Sequence, residues 1–500
     1  MWFGLVPLLL AINRKSSKGA FFFAYISGVL FFGSTFSWMF AVEGYQWLHH
    51  AILHLYLGIY FGIFGLLFRF VAKRSGIETG LFLAPFIWIF LEYFRSNLGF
   101  LSYPSTLLGH SQHQYYWVIQ IAAFTGVYGI SFLIVMVNSA LTLCLLSIHQ
   151  MGIKNAISMP LAKNRKGAWF LGPTIMLLAI SLVYGAVRTN VPISGQEVKV
   201  SIVQGNIEQG KKWDPEFADY IMQTYAGLSQ AAWQADKPVL IVWPEAATPG
   251  MVLRRPGLHK KISSLIKSME AYFLLGSSEF PKFDKELKKQ KKSANTVLFF
   301  SPNGKLIEQY LKIRLLPFGE YLPHEDLIPW SIIKIPTLHS HIPGRDFIVF
   351  NGPDFDFSST ICWETIYPDL VRQFVKNGAQ FLVNHTNEAW FGDGAAAYQF
   401  LGINIFRAVE NRVFVIRSGN SGVSCFIDPY GRIIKRVQDE TGRDIFIKGV
   451  ATQSIVPLSE KTIYTRYGDW LVGLSLCVVV VFLLQSMFRP VRKIPEEQSS

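Results

Sequence analysis

Six stretches of about 20 mainly apolar residues constrain this chain most, because that length is what an α-helix needs to cross a bilayer. They fall near residues 20–42, 51–72, 79–96, 116–147, 168–187 and 470–488. Residues 1–12 are apolar too, but too short to span alone. No basic region precedes them, so they read as the end of a span whose beginning is missing rather than as a signal peptide. Residues 189–469 have the composition of an ordinary globular domain, and 489–500 form a polar tail. The expectation is a membrane α-helical bundle (1–188 and 470–488) carrying one large water-soluble α/β domain (189–469). The bulk composition agrees: 50% of the residues are hydrophobic and 16% charged, against about 25% charged in soluble chains. Disordered, collagen-like and disulfide-rich classes are excluded. Of the four cysteines, Cys144 and Cys477 lie in apolar runs, and Cys362 and Cys425 form neither a disulfide framework nor a zinc spacing.

The net charge of +13 could suggest nucleic acid, but basic membrane proteins often owe their excess to charges flanking the spans. Here the loops alternate. Arg14, Lys15 and Lys18 precede the first span, Lys73 and Arg74 follow the second, Lys154, Lys163, Arg165 and Lys166 follow the fourth, and Arg489, Arg492 and Lys493 follow the last. Loops 43–50 and 97–115 contain no Lys or Arg. Basic loops face the cytoplasm, which puts 189–469 outside and the C-terminus inside. Glu92 and Arg95 sit three apart in one span, either as a local ion pair or as a receiver for a lipid headgroup. The basic run Lys282, Lys285, Lys288, Lys289, Lys291 and Lys292 is a solvated loop or a contact for anionic headgroups.

Within the large domain, 197–204 alternates like a strand, 214–232 and 257–270 look helical, and 239–243 and 272–276 look like strands. Segments 295–301 and 305–311 flank Asn303-Gly304, a strong hairpin signal. Strands at 346–350 and 356–361, a helix near 367–377, a strand at 380–384, a helix near 395–410, strands at 412–418 and 422–427 and two more after the Asp428–Gly431 turn complete a layered α/β pattern.

Three reactive side chains directly follow strand-like runs, where α/β domains tend to place sites. They are Glu245 after Leu240–Pro244, Lys312 after Ile307–Leu311 and Cys362 after Ser358–Ile361. On spacing alone they are a catalytic set, or else a surface Glu, a surface Lys and a core Cys. As a set their chemistry is coherent. A free thiol has a pKa of about 8.5 and a carboxyl about 4.3, so proton transfer between them opposes about 6 kcal/mol. Burial of the Glu and a neighbouring Lys⁺ both narrow that gap. The Lys⁺ can also stabilise a tetrahedral oxyanion, a contribution of about 2.7–4 kcal/mol.

The motifs around these residues are Gly205-Asn-Ile with Lys212-Trp-Asp-Pro215, Trp243-Pro-Glu-Ala-Ala-Thr-Pro249, Lys312 to Pro323 with its Pro-Phe-Gly-Glu320 block, Ile361-Cys-Trp-Glu364, Asn387-Glu-Ala-Trp-Phe-Gly392, and Arg407-Ala-Val-Glu410 leading to Asn420-Ser-Gly422. With the flanking spans, the chain resembles the apolipoprotein N-acyltransferase family, a membrane-embedded branch of the nitrilase superfamily, over nearly its whole length. The resemblance implies an αββα sandwich, with Glu245 as general base, Lys312 as oxyanion stabiliser and Cys362 as nucleophile. It implies that Glu320 and Glu364 support the site, with a structural ion pair as the alternative for each. Trp213 corresponds to a tryptophan on a loop near the site, or else simply packs. Trp363 stands where relatives often have Tyr, which keeps an aromatic wall and removes a hydroxyl. The family usually has eight spans, and this chain starts within what looks like the second. The implied activity moves an acyl chain from a membrane phospholipid to the N-terminal amine of a diacylglyceryl-modified apolipoprotein, through a cysteine thioester. It takes place at the bacterial inner membrane in a monomer, with no metal, no cofactor and no nucleic acid.

His385 reads as structural and Cys425 as core. Leu327, Ile328, Trp330, Ile332, Ile333 and Ile335 form an apolar arm suited to membrane contact or ordinary packing. One rival reading is a membrane-tethered nitrilase-type amidase with a small soluble substrate, which needs only one anchor. Another is a transporter, whose spans would carry mid-depth charges or broken helices.

Overall fold

The computed structural model describes residues 1–151, 165–280, 292–333 and 341–488. Lys154, Lys163, the run from Lys282 to Lys291, Ile335, the side chain of Ile333 and the 489–500 tail lie outside the described residues. The chain divides into two compact units. One comprises Met1–Ser37, Trp47–Thr189 and the segment from Asp469 onward; the other comprises Trp38–Gln46 and Asn190–Gly468.

The first unit is helical. Among the described residues, five helices are long and apolar enough to cross a membrane: Trp47–Ser75, Ile77–Ser96, Val127–His149, Phe170–Thr189 and Trp470–Met487. The apolar run at 20–42 is not one helix. Its helix, Ser17–Thr35, stops short, and a 3₁₀ turn follows at Ser37–Ala41. Lys18 and several Gly and Ser residues lie within it. The run at 116–147 is also divided. Gly126, at φ 65°, ends the short helix Ala122–Thr125, and the long helix begins at Val127. Ser17–Thr35 and Trp47–Ser75 approach closely through small residues, as membrane helices do. A Cβ on Gly65 would stand 2.5 Å from the carbonyl oxygen of Ala20. Glu92 and Arg95 act on each other by charge, but their hydrogen bonds go elsewhere. The Glu92 carboxylate accepts from Trp88 Nε1 at 3.0 Å and from the Leu108 amide at 2.8 Å, and Arg95 donates to the Tyr103 carbonyl at 2.9 Å.

Among the described residues the second unit holds twelve strands: β1 Val198–Gln204, β2 Leu240–Val242, β3 Tyr272–Glu279, β4 Ala294–Phe300, β5 Leu306–Leu311, β6 Phe350–Asn351, β7 Asp356–Ile361, β8 Phe381–Thr386, β9 Phe414–Gly419, β10 Cys425–Ile427, β11 Ile433–Arg436 and β12 Gly449–Ile455. They form two six-stranded sheets, ordered β12-β1-β2-β3-β4-β5 and β11-β10-β9-β8-β7-β6. Each has three adjacent parallel strands, β1-β2-β3 and β7-β8-β9, with antiparallel neighbours outside. Parallel strands buried on both faces should be apolar throughout, and Leu240–Val242 is buried at every position.

The helices Ala218–Asp236 and Pro256–Met269 cover the first sheet, setting Ile221, Tyr225, Ile262 and Ile266 against Ile241, Trp243, Phe273 and Leu298. The helix Pro368–Lys376 buries Leu370, Val371 and Phe374, and Ala396–Asn411 is buried along most of its length. The sheets meet through aromatic rings, with Phe299 lying 5.5 Å from Phe350 and 5.3 Å from Phe357. The architecture of this unit is an αββα sandwich, and that of the first is a set of membrane-type helices. His385 joins the two sheets. Its Nδ1 donates to the Trp243 carbonyl at 2.8 Å, and its Nε2 lies 3.3 Å from Ser359 Oγ. Burial lowers its pKa to about 4, so the ring is neutral at physiological pH.

Candidate active site

Glu245, Lys312 and Cys362 each leave the end of a strand and turn into the same buried region. After β2, Trp243 is held by its amide to Leu274 O at 2.9 Å and by its indole to Ser229 Oγ at 2.8 Å. The turn that follows lies against β3. A Cβ on Gly276 would stand 2.1 Å from Pro244 O, so glycine is required for this approach. Glu245 is buried there. Lys312 follows β5; its amide donates to Asn295 O at 2.9 Å, and its own carbonyl accepts from the Gly344 amide at 2.7 Å. Its side chain is 2% exposed.

Cys362 follows β7 and opens the 3₁₀ turn Cys362–Ile366. Its φ is 54°, a left-handed conformation that costs a non-glycine residue free energy and clusters at functional sites. The strand, the strained turn and the helix Pro368–Lys376 that follows have the sequence of elements of a nucleophile elbow. The Cys362 carbonyl accepts from Asn384 Nδ2 at 3.1 Å, and Thr386 Oγ1 stands 4.0 Å from Sγ.

A chain of polar contacts joins the carboxylates to the lysine. Asn295 Nδ2 donates to Glu245 Oε1 at 2.7 Å and to Glu320 Oε1 at 3.3 Å. Lys312 Nζ pairs with Glu320 Oε1 at 2.8 Å, and the Leu316 amide holds Glu320 Oε2 at 2.7 Å. The buried Glu364 accepts from Tyr310 Oη at 2.9 Å and from the amides of Ile313, Arg314 and Ile361 at 2.7, 3.0 and 2.8 Å. It ties the end of β5 to the end of β7.

The electrostatics follow from burial and from this grouping. Burial pushes the Cys362 thiol well above its ordinary value; the Glu245 carboxylate adds to the rise and Lys312 opposes it. Burial alone would favour neutral Lys312, but Glu320, Cys362 and Glu245 outweigh it and hold the ammonium. Burial would raise Glu320, yet the charge and hydrogen bond of Lys312 bring it below the usual carboxylate value. The resting site is a thiol beside a carboxylate and a fixed ammonium.

Trp363 is buried, edge-on to Tyr367 at 5.6 Å. Trp213 is 47% exposed and directly follows the buried Lys212. Sequence reasoning gave no role to Asn295, Lys212, or Glu388 and its buried partner Arg417. Asn295 left one signal, as a polar residue at the start of an otherwise apolar strand. Lys212 stood out only as the first residue of the Lys212-Trp-Asp-Pro215 motif, with no role of its own, because its contact lies 33 residues away, where the Glu245 carbonyl accepts from its Nζ at 2.9 Å. Among the described residues no cluster of His, Cys, Asp and Glu could hold a metal ion.

Comparison with known proteins gives this site its context. Residues 199–458 match the carbon-nitrogen hydrolase family, and residues 1–140 match the apolipoprotein N-acyltransferase N-terminal domain. An apolipoprotein N-acyltransferase of Geobacter metallireducens is 33% identical over 475 residues, spanning 94% of this chain and 87% of that protein. One from Chlorobaculum tepidum is 27% identical, spanning 98% of this chain and 92% of that one. Among solved structures, Saccharomyces cerevisiae Nit3, a member of branch 10 of the nitrilase superfamily, overlaps 53% of this chain and 93% of its own, at 18% identity and a TM-score of 0.41. A hydrolase-type sandwich with a thiol, a carboxylate and an ammonium in one buried pocket, joined to apolar helices and aligned almost end to end with such enzymes, places the chain in the apolipoprotein N-acyltransferase family.

Proposed function

We propose that this protein moves an acyl chain from a membrane phospholipid to the α-amine of the diacylglyceryl-cysteine that begins an apolipoprotein, through a thioester on Cys362. The observation that carries the reading is the buried grouping of Glu245, Lys312 and Cys362 in a chain whose relatives bear the acyltransferase name. A donor in the bilayer and a bulky lipoprotein acceptor would crowd one site if bound together, and a covalent intermediate separates them in time. In the first half-reaction Glu245 accepts the Cys362 proton and sulfur attacks the phospholipid ester carbonyl. Lys312 steadies the oxyanion, and the alkoxide leaves as lysophospholipid, taking the proton back from Glu245. In the second, the acceptor amine attacks the thioester, Glu245 takes the amine proton, and the thiol is restored as the amide forms. Neither half calls for a metal, nucleotide or redox cofactor. Asn295 orients Glu245 and Glu320, Glu320 orients Lys312, Glu364 holds the two strand ends in register, and Trp363 and Trp213 supply aromatic surface. The reading places a monomer in the bacterial inner membrane, with the catalytic domain on the periplasmic side and the C-terminus in the cytoplasm. Its partners are the bilayer, the phospholipid donor and the diacylglyceryl-modified acceptor, not nucleic acid.

The test is to trap the intermediate. Phospholipid alone should add one acyl mass to the peptide containing Cys362, removable by neutral hydroxylamine. Glu245→Gln should acylate at least about 100-fold more slowly. Lysophospholipid that forms only when the acceptor is present, with no acylated Cys362, would replace this mechanism by direct transfer. Turnover of small soluble amides without acyl transfer would favour the amidase reading.

A further inference from the structure

The mechanism above leaves Lys212 without a task, and its surroundings are unusual for a lysine. The side chain is 4% exposed, at the end of the one-turn helix Gln209–Lys212 in the loop after β1. Lysine is almost never this buried unless it is paired. Its hydrogen bond goes to a peptide oxygen, the Glu245 carbonyl, at 2.9 Å. Among the described residues no carboxylate forms a salt bridge with it. An ammonium held by a single carbonyl is a poor way to stabilise a fold, because its desolvation is only partly offset. The charges that act on it are Glu245, at the end of β2, and Cys362, at the end of β7. Both belong to the proposed proton transfer.

We propose that Lys212 is a positioning residue for thioester formation, fixing the backbone of Glu245 and supplying a second positive charge to the pocket in which the Cys362 thiolate forms. The inference rests on the reading of Glu245 as base and Cys362 as nucleophile. Before proton transfer the carboxylates of Glu245 and Glu320 face two ammonium groups, Lys312 and Lys212. After it, Glu245 is neutral and the thiolate takes its place, so two anions still face two cations. Without Lys212 the same pocket would hold two anions against the single charge of Lys312, which Glu320 already engages. Glu388, although paired with Arg417, also acts against the Cys362 thiolate, which adds to the negative side of this balance. Burial brings the Lys212 pKa down to about 8, with Glu245 and Cys362 resisting the fall. The charge is therefore present at neutral pH and is lost as the pH rises above 8. Thioester formation should lose rate over that same interval.

The experiment measures single-turnover acylation of Cys362 by intact mass, using the full chain in detergent with a defined phosphatidylethanolamine, from pH 6 to 10. Wild type should slow above pH 8. Lys212→Met should acylate about 10- to 100-fold more slowly at pH 7, in the range typical of groups that orient a reacting residue, and should lack that alkaline decline. Lys212→Arg keeps a charge that does not titrate in this range, so its decline should move up by more than one pH unit. A wild-type rate in Lys212→Met, or a slower rate with an unchanged pH profile, would overturn the proposal. If the Met variant does not fold, the Arg variant decides alone, and an unmoved alkaline limb counts against the proposal. Cys362→Ala is the control for the reading beneath. Acylation persisting there would remove the nucleophile assignment itself, whatever Lys212 does.

Discussion

Glu364 shows how much of this site depends on a residue that need not touch substrate. One carboxylate accepts from a tyrosine hydroxyl and three amides, and those amides flank Lys312 on one side and Cys362 on the other. Burial, only partly opposed by Lys312 and by the amides and Tyr310, raises its pKa to about 7. Its folded value therefore exceeds its unfolded value of about 4.3. Between the two, the native state binds more protons, so this group's contribution to stability is complete below about pH 4.3 and is lost as the pH rises through 7. Glu364→Gln cannot reproduce this set of acceptors, and an unsatisfied buried amide costs about 1–3 kcal/mol. The variant should be less stable than wild type by that amount at pH 5. The deficit should shrink toward pH 8, because only wild type then has to ionise a buried carboxyl. Denaturant midpoints across pH 5–8 check this, and a constant difference would mean that Glu364 does not titrate in this range. Glu245, Lys312 and Cys362 could be singled out from sequence because each is a reactive type directly after a strand-like run. Asn295 and the task of Lys212 could not, since each acts on a residue 50 or 33 positions away, a relation that only the folded strand ends create.

The same limit holds for whole elements. Strand existence was legible wherever apolar residues ran on to a turn signal, as at the Asn303-Gly304 hairpin, where Gly304 adopts φ 72°. Helix ends inside apolar runs were not. Hydropathy averages over a window, whereas the break at Gly126 is one residue with φ 65°. The apolar arm after Glu320 is an element whose pattern does carry over into exposure. Trp330 anchors it, donating to Pro323 O at 2.6 Å and packing on Phe318 at 5.0 Å. Leu327 and Ile332 stand 80% and 76% exposed. Moving a side chain of this size from water into lipid gains about 1.5–3 kcal/mol, so the arm is suited to partition into a bilayer and receive the donor there. The double variant Leu327→Asp with Ile332→Asp should lower the acylation rate from phospholipid vesicles at least about tenfold. It should leave the rate from a short-chain, water-soluble ester nearly unchanged. Equal losses with both donors would show that the arm supports the fold and not the lipid encounter.

For the whole molecule, two independent observations group the same segments on one side of the membrane. The first is loop charge: basic residues at 14–18 and 73–74 alternate with loops 43–50 and 97–115, which contain none. By the positive-inside rule the segment near 38–46 is expected outside, as are residues 190–468 in the orientation proposed above. The second is packing. Trp38–Gln46 belongs to the same compact unit as Asn190–Gly468. Trp38 Nε1 donates to Gln399 Oε1 at 3.1 Å, and its ring meets Phe391 at 5.1 Å and Phe400 at 6.2 Å. Segments packed into one unit must share a side of the membrane, so the packing requires the grouping that the charges imply. Had the charge rule placed 38–46 and 190–468 on opposite sides, one of the two observations would have been wrong. A phospholipid-dependent enzyme for exported lipoproteins also needs its thiol on the side to which its acceptors are delivered. A reporter enzyme that is active only outside the cytoplasm should therefore work when fused after Gln46 or after Ser301, and should fail after Lys493. Activity after Lys493 together with silence after Ser301 would reverse the orientation and remove the acceptor from reach of Cys362. Activity after Ser301 but silence after Gln46 would separate the two segments and contradict their common unit.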